Sequence, residues 1–153
     1  MEKEEVLLIG QVKVFSHPVV MTCFGLGSCV GVFIKDRSTG ICGGAHIFLP
    51  AEERAHPSPH FDSLIVEMLD KMKGKGSKLK NLRAKLVGGA NVLRYRSDVG
   101  SMNIQHVKDQ LIAHKVFIAA MEVGGKVSRT VRFRTSNESL TVKELETKQA
   151  FII

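Results

Sequence analysis

Five short β-rich runs fill the first third of the chain: Val6–Ile9, Val12–Phe15, Val19–Phe24, Cys29–Lys35 and Ile41–Leu49. Turn residues at Gly10, His17-Pro18, Gly25 to Ser28 and Asp36 to Gly40 separate them, and no helical period intervenes. A doubly wound sheet alternates strands with helices, so this arrangement favours an α+β architecture. After the Pro-rich AHPSPH loop, Phe61, Leu64, Ile65, Met68, Leu69 and Met72 recur at helical spacing, and GKGS ends that amphipathic helix. A strand at about Arg83–Val87 follows, then a Gly-Gly. Asn103 is read as the N-cap of a second helix reaching about His114, with Ile104, Val107 and Leu111 on its inner face. Val116–Val123, Ser128–Thr135 and a shorter run at Ser139–Val142 complete the strands.

A chain of 153 residues is read as a single domain, 1–153, able to bury a core without staples. Its most apolar segment, Val19 to Ile34, is broken by Thr22, three glycines and Ser28, too short and polar to span a bilayer. The acidic opening MEKEEVLLIG lacks the basic region of a signal peptide. A cytoplasmic protein with no membrane insertion is expected. Cys23, Cys29 and Cys42 are odd in number and lack CxxC spacing, which argues against a disulfide framework or a zinc knuckle. Neither a metal nor another cofactor is expected. The net charge of +7 concentrates in residues 71–85 and 129–134. With one tyrosine, no tryptophan and no RNP-like motif, nucleic-acid binding is not favoured. The excess reads as a solvated face that attracts acidic partners.

The stretch FGLGSCVG (24–31) carries the chemistry. As a dinucleotide loop it fails: Val30 stands where GxGxxG needs glycine, and the alternating VGVFIKD that follows is a strand, not a helix. A Walker lysine is also absent. Gly27 to Gly31 reads G-x-C-x-G, a nucleophile-elbow pattern without the elbow's helix. Small neighbours still leave Cys29 approachable, and the Gly27-Ser28-Cys29 turn can aim N–H groups at an oxyanion. Pattern alone leaves Cys29 open between a nucleophile and a small core residue.

A nucleophilic cysteine needs a base. If the RSTG loop closes symmetrically, Gly31 lies opposite His46 and Cys29 opposite Phe48. Cys29 and His46 then share a face as diagonal neighbours, about 7–8 Å apart at the backbone. A one-residue slip would separate them. The other histidines offer less. Pro57 and Pro59 interrupt the His56/His60 pair, His17 sits in a turn, and His106 and His114 fall on the exposed side of the second helix.

LGSCVGVFIKD, GGAHIFLP, KLVGGAN, VGSMNIQHVKDQL and EVGGKVSRTVRF, in that order, resemble the chemoreceptor glutamine deamidase family (CheD). The resemblance spans nearly the whole chain. It implies a fold of layered mixed sheets of α/β/β type with two main helices, like toxin-type glutamine deamidases. It implies a bacterial chemotaxis hydrolase that converts receptor glutamines to glutamate, and a CheC-type phosphatase as partner. Cys29 falls on the family nucleophile and His46 on its base. The family threonine before LGSC falls at Cys23 or Phe24, so Thr22, the nearest threonine, is the expected third residue if a bulge restores it. Ser28 is a rival nucleophile or a turn residue, and Cys23 and Cys42 are assigned to the core. Met102 and Lys126 stand where arginine and asparagine are common. The alternative function is a catalytically weak or inactive binding module that regulates a CheC-type phosphatase.

Overall fold

The computed structural model describes residues 2–48, 59–92 and 98–153. Ten strands and two helices form three layers among these residues. One sheet has the order β1-β3-β8-β9-β10, from Lys3–Val6, Val19–Leu26, Arg129–Arg134, Ser139–Glu144 and Ala150–Ile152. The other has the order β2-β5-β4-β6-β7, from Val12–Phe15, Cys42–Ile47, Val30–Asp36, Leu82–Gly88 and Phe117–Val123. Each is mixed, because β1 runs parallel to β3 and β6 parallel to β7 while the other pairings are antiparallel. Helices α1 (Pro59–Gly74) and α2 (Val99–Ala113) cover the outer face of the second sheet.

Strand alternation divides the core in two. Val30, Val32 and Ile34 of β4 face the helices and pack with Ile65, Met68, Val107 and Leu111. Phe33 faces the first sheet and stacks on Phe133, with ring centroids 5.3 Å apart. This is the α+β architecture expected from the run of strands, with the α/β/β layering that the family resemblance implies.

Several boundaries differ from the sequence reading. The first strand is Lys3–Val6, not Val6–Ile9, because its parallel partner is β3, pairing Lys3 with Val19 and Val6 with Thr22. Leu7 then enters the core, and Leu8 and Ile9 form an exposed turn. Helix α1 begins at Pro59, which suits a first helical position that needs no N–H partner. The Phe61 side chain and His56 lie outside the described residues, whereas Leu64, Ile65, Met68, Leu69 and Met72 are buried as their spacing requires. Helix α2 begins at Val99 with Asp98 as N-cap, so Asn103 is interior and fully buried. His106 and His114 are half-buried rather than exposed. The final strand, β10, has no signal in the sequence reading and pairs with β9. No helix among the described residues is long and apolar enough to cross a membrane.

Candidate active site

The hairpin β4–β5 closes in the symmetric register, with Val30 opposite Ile47 and Gly31 opposite His46. Gly31 and His46 therefore point between the two sheets, and Cys29, one residue before β4, packs against the same inter-sheet core. Cys29 is half-buried, while His46 is buried with 5% of its surface exposed.

The His46 ring is oriented by the N-terminal segment. Its Nδ1 lies 2.9 Å from the Leu7 carbonyl oxygen, which only accepts, so Nδ1 carries the proton. Nε2 is left with its lone pair, the tautomer a proton acceptor needs. Leu7 is itself held by its N–H donating to the Thr22 carbonyl at 2.8 Å.

The Gly27-Ser28-Cys29 turn is bound at all three carbonyls. Ala90 N–H donates to Gly27, Asn103 Nδ2 to Ser28 and Gly89 N–H to Cys29, each at 2.8 Å. Among the described residues, the N–H groups of Ser28 and Cys29 have no protein acceptor. A peptide whose carbonyls are tied to the scaffold presents N–H groups in fixed directions, the preorganisation an oxyanion site requires. The close approach needs glycine. A Cβ on Gly88, whose φ is +109°, would lie 2.3 Å from the Cys29 oxygen. A Cβ on Gly100 would lie 2.2 Å from the Gly89 oxygen, so α2 presses directly on the segment that holds the turn.

Burial governs the protonation states. It pushes the Cys29 thiol up to about 11 and the Cys23 thiol up to about 12. It also lowers His46, with the Leu7 hydrogen bond opposing. The resting groups are thus a neutral thiol and a neutral imidazole.

Thr22 is not brought to this pair. It alternates with Cys23 on β3, and its hydroxyl donates to Glu4 at 2.7 Å on the other face of that sheet, where Glu4 also meets Arg132. The bulge in β3 falls between Cys23 and Leu26, after Thr22, and so does not turn it inward. Cys23 faces inward; its Sγ lies 3.6 Å from where a Cβ on Gly31 would stand. Cys42 is buried, as assigned. Met102 is half-buried on α2 and Lys126 exposed.

Two polar residues of this region depart from what the sequence predicts. Asn103 is not the cap expected from the sequence: its spacing from Val99 and Val107 sets it on the inner face of α2. Its Oδ1 is buried with no partner among the described residues. Arg129 belongs to the basic run 129–134 expected to be solvated, yet only 3% of its surface is exposed. Its guanidinium donates to the Gly124 carbonyl at 2.8 Å and to that of Gly88 at 3.5 Å. Alternation along β8 puts Arg129 on the same face as Val131 and Phe133, which is the signal that marks it as inward-facing. No cluster of three or more metal-ligating side chains occurs among the described residues.

Comparison with known proteins is consistent along the chain. The family described as CheD chemotactic sensory transduction matches residues 48–144. A probable chemoreceptor glutamine deamidase CheD of Clostridium tetani is 35% identical, covering 92% of this chain and 91% of its own. A probable chemoreceptor glutamine deamidase CheD of Methanosarcina mazei is 36% identical over 88% of this chain, which spans 62% of that relative's length. The chemoreceptor glutamine deamidase CheD of Thermotoga maritima is 28% identical over 93% of this chain and 92% of its own. Among solved structures, a Bacillus licheniformis hypothetical protein, YfiH, covers 74% of this chain and 51% of its own with 14% identity and a TM-score of 0.48.

Proposed function

Because this chain belongs to the CheD chemotactic sensory transduction family, we propose that it converts chemoreceptor glutamine side chains to glutamate, with Cys29 as nucleophile and His46 as base. The observation that carries this reading is the register of β4 on β5. It places the Leu7-oriented imidazole on the inter-sheet face that the Cys29 turn also packs against.

The resting pair is neutral, so His46 acts as a general base when substrate arrives instead of holding a thiolate beforehand. As Sγ bonds to the glutamine Cδ, the thiol proton passes to Nε2. The carboxamide oxygen takes up negative charge and accepts from the N–H groups of Ser28 and Cys29. The imidazolium then protonates the nitrogen, the C–N bond breaks and ammonia leaves. Water gives its proton to Nε2, attacks the thioester and restores the thiol, leaving glutamate. Asn103 acts through Ser28 as a positioning residue. Ser28 serves as a turn residue, its carbonyl accepting from Asn103 while its N–H is left for the oxyanion.

Mass spectrometry of a recombinant receptor cytoplasmic fragment tests the reading. Discrete gains of about one mass unit at glutamines, absent with Cys29→Ala, are expected. Conversion retained in that variant would remove Cys29 from the scheme. No conversion by the folded protein on several receptors would favour the regulatory binding module. The CheC-type phosphatase partner is tested separately by co-purification.

A further inference from the structure

At the end of β4 away from Cys29, the inter-sheet face changes from apolar to cationic. Lys35 on β4 and Arg83 and Lys85 on β6 occupy the positions that Gly31, Phe33 and Val87 hold nearer the thiol. Two adjoining concavities open there, of about 500 Å³ and about 330 Å³, with Arg37 and Arg83 lining both. Both fall in the range of small-molecule sites. Five cations, Lys35, Arg37, Lys80, Arg83 and Lys85, face one acidic lining residue, Glu138.

Their partners divide these cations into two sets. Lys35 donates to the Thr135 carbonyl at 2.8 Å, and Lys85 to the Glu138 carbonyl and to an oxygen of Ile153. They tether the first sheet. Arg37 has Glu138 at 3.5 Å. Arg83 lies over the exposed Phe117 ring, 4.8 Å from its centroid, and makes no ion pair among the described residues. The ring contact holds the guanidinium in place, and a guanidinium with no ion pair has donors matched to phosphate. Burial holds the Lys85 ammonium below its ordinary value; Glu138 opposes this, and Arg83 and Arg37 add to it.

We propose that this cleft is an anion site for a small ligand carrying linked phosphate groups, gripped by Arg37, Lys80 and Arg83 above the Phe117 ring. It is independent of the Cys29 chemistry, and its readout is binding.

Amide chemical shifts of the whole chain are followed during titration with inorganic pyrophosphate, ADP and sulfate at about 150 mM salt. Saturable shifts at Ser38, Asn81, Arg83 and Phe117 are expected with pyrophosphate. The exposed Lys80→Gln change and Arg83→Gln should each weaken binding about tenfold, with receptor deamidation unchanged. ADP binding tighter than pyrophosphate, with the gain lost in Phe117→Ala, identifies a nucleotide. Equal binding of the two identifies linked phosphates as the whole ligand. No saturation by about 5 mM pyrophosphate, equal affinity for sulfate, or affinity untouched by both substitutions overturns the proposal.

Discussion

At the Val30 end of β4, a thiol and an imidazole sit among backbone groups, and burial favours the neutral form of each. At the Asp36 end, Lys35, Arg37, Arg83 and Lys85 line an open cleft, Lys35 and Lys85 tied to main-chain oxygens and Arg37 beside Glu138. The stacked Phe33 and Phe133 rings lie between the two ends. The two ends of one strand thus differ in burial and in charge. Proton transfer gains from a low dielectric, which makes a fixed lone pair and fixed N–H groups count for more. Clustered like charges need the screening that exposure supplies.

The comparison breaks most sharply at the thiol. Cys29→Ala should cut receptor deamidation by at least about 10⁴-fold, with pyrophosphate affinity unchanged and stability within about 1 kcal/mol of the parent in urea unfolding. Gly100→Ala should act through the scaffold. Its Cβ would meet the Gly89 and Ala90 oxygens at 2.2 and 2.3 Å, so stability should fall by about 3 kcal/mol and activity with it. Asn103→Ala releases the Ser28 carbonyl. It should lower kcat about 10²-fold with KM little changed and slow alkylation of Cys29, a pair of readouts that simple destabilisation would not produce.

Acid should separate the two ends. His46 is lowered from 6.5, so the folded state binds fewer protons there than the unfolded chain. Its contribution is present above 6.5 and is lost as pH falls towards its lowered value. For Asp36, burial alone would raise the carboxyl. The Ser38 hydroxyl and the N–H groups of Ser38, Thr39 and Lys78 outweigh burial and hold it at about 2. Its contribution persists above 3.8 and is lost as pH falls through about 2. Unfolding curves of His46→Gln should flatten only in the upper window, and those of Asp36→Asn only in the lower. The smallest effect on turnover belongs to Arg83→Gln, which should leave kcat/KM unchanged.

Local pattern carried the hairpin, because the short RSTG connection fixes register and register fixes which side chains share a face. Cys29 and His46 were therefore visible together. The apolar stripe of α1 was visible for the same reason. What escaped depends on distant pairing. The first strand shifted because β3 supplies its parallel partner, and Thr22 faces Glu4 because β1 and β8 flank it. Asn103 looks like a cap until the turn it supports is folded beneath it. Leu7 has no local signature at all, since its contribution is a main-chain oxygen.

That oxygen joins the imidazole to an arm that ends in the exposed Leu8-Ile9 turn. Exposed turns are where proteases cut. A single cleavage there would leave Leu7 held through β1 on β3 and its bond to Thr22. The oxygen that fixes the imidazole tautomer would then lose its main-chain link to the rest of the chain, while every side chain of the candidate site stayed intact.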